Sequence, residues 1–158
     1  MIARICLTAA LLAAASATPG FAEQQTLKFR LVTKELTSTV HEVENVPGRS
    51  VSLATYAGFA VFEDGRIAYK DFMDTSDGSG EDGTFVGYST YSFENGDALT
   101  AKYTGSWSAE GLVGEYEVLS GEGAYAGATG TGRFEAVDSP WDKANLLEGE
   151  FTLEVRGI

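Results

Sequence analysis

The sequence predicts an all-β fold, an eight-stranded antiparallel β-barrel, with a two-layer sandwich as the alternative. Three observations predict it: apolar and polar residues alternate with a period of two, glycine-containing turn signals separate the alternating runs, and no stretch repeats with a helical period. Alternation of this kind describes strands with one buried and one solvated face. Because the runs follow one another through short turns, closure into a barrel would leave no unpaired edge.

The N-terminal stretch is typical of a cleavable secretory signal peptide. A basic residue precedes an apolar run from Ile5 to Ala17, and Gly20-Phe21-Ala22 is a small-x-small cleavage site. The run is too short to span a bilayer, and a buried N-terminal helix is the alternative interpretation. We expect cleavage after Ala22, so that residues 1–22 are the signal peptide and residues 23–158 form a single barrel domain. The product is expected to be secreted or periplasmic, without membrane insertion.

Charge and composition argue against several kinds of partner. The formal net charge is −12 and basic residues do not cluster, so nucleic acid and anionic membrane surfaces are poor candidates. The single cysteine, Cys6, lies in the expected signal peptide, and His41 is the single histidine. Zinc is therefore not expected, no cofactor is implied, and the exported fold must rely on packing and hydrogen bonds rather than on disulfides.

In the first half of the chain, alternating runs flank two turn signals. Leu27, Phe29 and Leu31 share one face of a first strand, and a second begins near Val51. Pro47-Gly48 suits the reversal between these two strands. Asp64-Gly65 separates two further runs, and an acidic or amide residue followed by glycine is typical of a two-residue type I′ hairpin turn.

The second half contains more runs of the same kind. Asn95-Gly96 is another hairpin signal of the type I′ kind, and Glu110-Gly111 marks a further reversal. Residues 138–143 supply at most one short turn, which we expect to cross one end of the barrel. The alternating runs are Thr84–Phe93, Leu99–Trp107, Val113–Leu119, Phe134–Val137 and Leu147–Val155.

A glycine-rich stretch, Gly121–Ala136, reads GEGAYAGATGTGRFEA. Glycine permits tight turns and close approach of backbones, so we expect a sharp corner between two late strands. The stretch resembles the glycine-aromatic-Ala-Gly-Ala-x-Gly-x-Gly-x-Phe signature of the allene oxide cyclase and dirigent-like barrel superfamily, in particular its small exported bacterial members. Residues Gly87–Trp107 are similar to a hairpin of the same proteins.

The resemblance implies a calycin-like barrel with an internal apolar pocket, and it implies a homo-oligomer, because the relatives often associate. Plant members act on reactive lipid or phenolic intermediates inside the barrel. The cyclases carry a functional Glu, an Asn and a nearby Pro in an early-strand segment. The corresponding segment here is Thr39–Ser50, which contains Glu42, Glu44, Asn45 and Pro47 in a different register.

Aromatic residues are the main candidates for binding a ligand. An eight-stranded barrel lies at the threshold between a packed interior and a cup for one ligand, so a filled core and an aromatic-lined cup both stay open. The expected ligand is a small apolar or aromatic molecule. The candidate ligand-binding residues are Tyr88, Tyr91, Tyr103, Trp107 and Tyr116.

Three glutamates, Glu42, Glu115 and Glu117, are the candidate catalytic acids on strands. A carboxyl that faces an apolar cup has a raised pKa and can act as an acid or base. The alternative, favoured by the cost of burying an unpaired carboxylate, is that all three face water.

An acidic stretch, Asp74–Gly83, reads DTSDGSGEDG. Carboxylates on a flexible loop suit hard cations such as calcium, but the spacing fails the EF-hand pattern. We expect a solvated loop without a metal site, because acidic loops rich in Gly and Ser are common on protein surfaces.

Three functions follow from these observations. The first is an exported barrel that binds a small, largely apolar molecule in its cup; an open cup without inward-facing acids would favour it. The second is a cyclase or isomerase acting on a reactive lipid or phenolic intermediate, which a buried Glu or a Tyr pair at the floor of the cup would favour. The third is a non-catalytic interaction module, which a solid interior would support.

Overall fold

The computed structural model describes residues 22–156, which form eight strands in one closed antiparallel barrel. The expected signal peptide, residues 1–22, lies outside the described residues except for Ala22. The strands are β1 (Ala22–Glu42), β2 (Ser50–Phe62), β3 (Ile67–Gly78), β4 (Gly83–Phe93), β5 (Ala98–Ser108), β6 (Gly111–Glu122), β7 (Thr129–Val137) and β8 (Asn145–Arg156).

Strand β1 closes the barrel because it is long enough to pair on both sides. Its 21 residues pair with β8 from Ala22 to Thr33 and with β2 from Phe29 to Glu42. Every other strand pairs with its neighbours in the chain. The prediction of an eight-stranded antiparallel barrel is therefore confirmed, and the sandwich alternative is wrong. Within residues 22–156, no helix has the length and apolar character needed to cross a membrane.

The two hairpins at Asp64-Gly65 and Asn95-Gly96 occur where the sequence predicts them, but the predicted type I′ geometry is wrong. The Gly65 amide donates to the Phe62 carbonyl at 3.0 Å, and the Phe62 amide donates to the Arg66 carbonyl at 2.9 Å. Gly65 has a φ of +87°, whereas no non-glycine residue between positions 22 and 156 has a positive φ. Each loop is therefore a type I turn followed by a left-handed glycine, a geometry that Asp and Asn adopt without strain.

The two ends of the barrel differ in how they are filled. Antiparallel order places the turns at residues 63–66 and 94–97 at one end, together with the 123–128 segment. At this end the inward side chains pack into a continuous core, and burial of each large one contributes about 1.5–3 kcal/mol. The core residues include Leu27, Phe29, Phe62, Phe93, Leu99, Tyr125, Phe151 and Leu153.

The glycine-rich stretch plugs this closed end. Residues Gly123–Tyr125 form a single turn of 3-10 helix, which brings the Tyr125 side chain inward until 1% of it is exposed. The Tyr125 ring lies 5.4 Å from the Phe93 ring, and the Arg66 guanidinium donates to its hydroxyl at 2.5 Å. Gly123 has a φ of +62°, which favours glycine there. The predicted corner thus also positions Tyr125, the side chain that plugs the closed end.

The Asp74–Gly83 stretch is not a loop, contrary to the prediction from its composition. Strand β3 continues to Gly78, so that residues 79–82 alone form the turn. Asp77 pairs on the outer face with Arg49 at 2.6 Å. Pairing with β2 and β4 on both sides satisfies the backbone of this polar stretch, and this tertiary pairing overrides its weak strand propensity.

Replacing the plug should destabilise the barrel. We expect Tyr125→Ala to lower the free energy of unfolding by about 3–5 kcal/mol, because it leaves a cavity at the closed end. Urea denaturation measures the change. Tyr88→Ala is the matched control, since that ring is 54% exposed on the outer face and its loss should cost less than about 1 kcal/mol. Equal losses of unfolding free energy in the two variants would contradict the role of Tyr125 in sealing the closed end.

Candidate ligand-binding cup

The end of the barrel opposite Tyr125 contains a cavity of about 290 Å³. We call this cavity the cup. Its size lies close to that of pockets for small molecules, about 300 Å³ and above. All eight strands contribute to its wall, as does the segment between β7 and β8. The lining residues are Leu31, Thr33, Tyr56, Lys70, Phe72, Asp74, Ser76, Phe85, Tyr103, Trp107, Leu112, Phe134, Ala136, Val137, Ser139, Asn145, Leu146 and Leu147.

Pairs of an aromatic residue and a glycine form the wall of the cup. In each pair the two residues lie directly opposite each other on adjacent strands, and ring atoms occupy the space that a Cβ on the glycine would need. The rings therefore lie against the wall instead of crossing the barrel, which leaves the centre open. The pairs are Trp107 with Gly83, Phe85 with Gly105, Tyr103 with Gly87, and Phe134 with Gly114.

Lys70 lies at the inner end of the cup, with 3% of its surface exposed. Its Nζ donates to the Tyr116 hydroxyl at 2.8 Å, and the Tyr91 hydroxyl donates to the same oxygen at 3.0 Å. The Nζ atom also lies 4.3 Å from the centre of the Phe72 ring. The floor of the cup is therefore an amine and two phenols between the packed core and the cavity.

Burial lowers the pKa of Lys70 to about 7, and the negative charge of Asp74 opposes this shift. None of the ion pairs found within residues 22–156 involves Lys70. Water that would solvate an ammonium is largely excluded, and the surrounding rings replace only part of its stabilisation. At neutral pH this amine is divided between its charged and neutral forms.

Asp74 supplies the carboxyl group of the cup. The Tyr103 hydroxyl donates to Asp74 Oδ2 at 3.0 Å. Burial raises the pKa of Asp74, while the hydrogen bond from Tyr103 and the charge of Lys70 lower it. Burial and the nearby Asp74 charge also raise the pKa of Tyr56, to about 12. The cup thus combines aromatic walls with one amine, one carboxyl and several phenolic hydroxyls.

Four of the five aromatic residues predicted to bind a ligand face the interior. Tyr103 and Trp107 line the cup, and Tyr91 and Tyr116 form its floor beneath Lys70. Tyr88 lies on the outer face instead, because strand β4 points its odd-numbered residues inward. Tyr88 therefore does not line the cup.

The three candidate catalytic glutamates all face solvent. Glu115 and Glu117 flank the inward-facing Tyr116 on β6, so the alternation of the strand turns both of them outward. Glu42 is exposed at the end of β1, next to the exposed His41. In the described part of the chain, no group of three or more His, Cys, Asp or Glu side chains could hold a metal ion.

Sequence reasoning missed Lys70 and Asp74, the two ionisable residues of the cup. The register of the β2–β3 hairpin could have identified them as interior residues, because it places Gly58 opposite Lys70 and Ala54 opposite Asp74. Apolar residues occur on both faces of β3, so its alternation alone does not identify the inner face. The register becomes decisive once Ala54 is known to face inward.

A wider concavity of about 990 Å³ lies on the outer wall of the barrel. It has a charged lining in which Arg30 pairs with Glu148 at 2.8 Å and Arg133 pairs with Glu150 at 2.8 Å. Exposed ion pairs of this kind contribute little to stability. These two pairs engage four of the eight charged side chains of the lining. Because the cup has aromatic walls, it is the stronger candidate site for a small apolar molecule.

No protein-family model matches the sequence, and comparison with curated proteins gives no match. Among solved structures the chain is similar to the pterocarpan synthase dirigent protein GePTS1, with a TM-score of 0.60 and 16% identity over 93% of this chain and 98% of that chain. It is also similar to the pterocarpan synthase dirigent protein PsPTS1, with a TM-score of 0.61 and 14% identity over 87% of this chain and 99% of that chain.

A third similar structure is a protein with unknown function from the DUF3224 family of Shewanella oneidensis MR-1. The TM-score is 0.52, with 16% identity over 86% of this chain and 100% of that chain. At these identities the likeness establishes the fold and not the activity. The chain has the dirigent-like barrel fold.

The lowered pKa of Lys70 predicts a pH-dependent stability. Unfolding restores an ordinary lysine, so the unfolded chain binds more protons than the folded one above the folded pKa of about 7. The free energy of unfolding should therefore rise between pH 7 and pH 9, by about 2 kcal/mol in total. Tyrosines of the unfolded chain ionise only near pH 10, above this window.

Urea denaturation at a series of pH values measures this rise. Lys70→Met should remove it and should raise the stability at pH 7. Lys102→Met, on the outer side of β5, is the control and should keep the wild-type slope. A rise that persists unchanged in Lys70→Met would contradict the assignment.

Proposed function

We propose that the protein binds a small, largely apolar or aromatic molecule in the cup. The observation that carries the proposal is a cavity of about 290 Å³ with aromatic walls at one end of a barrel whose other end is plugged. Such a cavity can bury most of the surface of one small ligand, while a few polar groups fix its orientation. The volume of the cup supports binding over the third alternative, a filled barrel used only for interaction.

The charges around the cup favour a neutral ligand. The chain has a formal net charge of −12, and Asp74 places a carboxyl inside the cavity. An anionic ligand would meet this field as it entered. A neutral molecule with one hydrogen-bond acceptor could use the donors at the floor, Lys70 and the phenols, and leave its apolar part against the rings.

A cyclase or isomerase acting on a reactive lipid or phenolic intermediate is the second candidate. The observation that favours it is the hydrogen-bonded pair of Tyr91 and Tyr116 at the floor, together with the inward-facing Asp74. Asp74 could exchange a proton with a bound intermediate while Tyr103 orients its carboxyl. Two of the structurally similar proteins are, by name, pterocarpan synthases.

Export is a further proposal. Cleavage after Ala22 would leave all of β1 except its first residue in the exported chain. N-terminal sequencing of the protein from its own host tests this, and an intact N-terminus would contradict it.

Self-association is also proposed, through the outer face of β2 to β4. The exposed residues Phe59 and Tyr69 pack against each other there, with ring centres 5.6 Å apart. Leu53, Met73 and Tyr88 extend the apolar surface. Surfaces of this kind often mark contacts between proteins. Light scattering of the purified protein tests the proposal, and a monomer at all concentrations would contradict it.

Filling the cup should abolish binding. We expect Ser76→Trp to weaken the binding of 2-naphthylmethanol, a neutral aromatic alcohol, by at least about tenfold. Ser76 lines the cup, whereas its neighbour Thr75 is exposed on the outer face of the same strand. Thr75→Trp is therefore the matched control and should bind as the wild type does. Titration calorimetry measures both, and equal affinities would contradict binding in the cup.

The enzymatic candidate has a separate test. An organic extract of the host is incubated with the protein, and chromatography with mass spectrometry looks for a compound converted into an isomer of equal mass. Asp74→Asn should lose the conversion while retaining the binding of 2-naphthylmethanol. Glu115→Gln, on the outer face, should convert at the wild-type rate. Conversion that survives in Asp74→Asn would contradict the role of Asp74.

A further inference from the structure

Lys70 holds an amine whose bonding capacity is only partly used. Within residues 22–156 its Nζ makes one side-chain hydrogen bond, to the Tyr116 hydroxyl. Five aromatic rings surround it, with centres between 4.3 and 6.0 Å from Nζ. A neutral amine in this position keeps a lone pair that no hydrogen-bond donor needs to engage. A desolvated lysine of this kind is a nucleophile at neutral pH.

The amine is also within reach of a ligand. Lys70 belongs to the wall of the cup, together with Phe72 and Asp74 on the same strand. A molecule that fills the cavity therefore ends against Nζ and against the carboxyl of Asp74. The aromatic residues around this end would hold an apolar group and exclude water.

We propose that Lys70 captures a small apolar aldehyde as a Schiff base at the inner end of the cup. The proposal rests on the proposed binding function, since the aldehyde must first occupy the cavity. It names the ligand class as a neutral carbonyl compound with an apolar, preferably aromatic, remainder.

The reaction needs no oxidant or reductant. The Nζ lone pair forms a bond to the carbonyl carbon, and the electron pair of the C=O double bond moves to oxygen, which takes up a proton. The nitrogen loses one proton, and protonation of the hydroxyl lets it leave as water while the C=N bond forms. The resulting iminium then loses the second nitrogen proton to give the imine. The net change is amine plus aldehyde to imine plus water. Asp74, whose pKa burial raises, lines the same cavity and can supply and recover the proton.

A carboxylate ligand that forms an ion pair with Lys70 fits the site less well. It would bring a second negative group into a cavity that already contains Asp74, in a chain of net charge −12. Burying the resulting ions would also cost free energy that the one hydrogen bond from Lys70 to Tyr116 does not offset. An aldehyde enters without charge and meets neither penalty.

Borohydride trapping tests the proposal. The protein is incubated at pH 7 with 2-naphthaldehyde, reduced with sodium borohydride, and analysed by intact mass and peptide mapping. We expect one naphthylmethyl group per chain, on Lys70. At this pH about half of the Lys70 amine is neutral, whereas about 1 in 2,500 molecules of an ordinary exposed lysine is neutral. Lys70 should therefore be labelled at least about a hundredfold faster than surface lysines.

Two variants serve as controls. Lys70→Met should lose the adduct. Its titration with naphthalene, which offers no acceptor to the Lys70 amine, shows whether the cup of this variant is intact. Lys102→Met, on the outer side of β5, should be labelled like the wild type. Circular dichroism confirms that both variants are folded.

The outcomes separate the proposal from the proposed function. Binding of 2-naphthylmethanol without an adduct on Lys70, or labelling spread over surface lysines, would overturn the Schiff base and leave ligand binding intact. Saturable binding of 2-naphthoate that exceeds binding of the alcohol, again without an adduct, would assign the amine to a carboxylate instead. If the wild type binds neither the alcohol nor the aldehyde, both the proposed function and this inference fail.

Discussion

Inward-facing aromatic rings that lie directly opposite glycines on the neighbouring strand shape the inner wall of this barrel. Eight strands enclose a space that side chains can nearly fill. Because Trp107, Phe85 and Tyr103 each lie over a glycine, their rings cover the wall at one end and leave a cavity there. At the other end the same kind of pair occurs, with Phe29 opposite Gly149 and Phe151 opposite Gly132, but there Tyr125 and the other core side chains fill the space between the rings. The packed half and the hollow half therefore differ in what lies between the rings on the wall.

The hollow half changes the chemistry of the polar groups that face it. Lys70 would be an ordinary surface lysine on the outer side of β3, but the register of the strand places it between aromatic rings and a cavity. Burial then favours the neutral amine of Lys70. It also favours the protonated form of Asp74, which lies four residues further along β3 on the same face. Burying these two groups costs free energy. The packed half offsets that cost, because its core contains large buried rings.

The structurally similar proteins share the barrel but constrain its chemistry only weakly, since identities of 14% and 16% leave most inward positions free to differ. A common fold is compatible with many activities. The function of this chain must therefore be argued from its own cup, whose ionisable side chains include Lys70 and Asp74.

The sequence by itself predicted most of the strands and turns, because alternation and glycine placement are local properties that a single chain displays. It favoured a barrel over a sandwich, but closure through the pairing of β1 with both β2 and β8 appears only in the tertiary structure. It also singled out Tyr91, Tyr103, Trp107 and Tyr116, which face inward, although it placed Tyr88 of the outer face in the same set. It did not determine that Asp74 belongs to a strand, nor that Lys70 rather than Glu115 or Glu117 enters the interior. Those facts depend on strand register and on which ring lies over which glycine, and only the tertiary structure fixes both, since a shift of one residue would exchange the two faces.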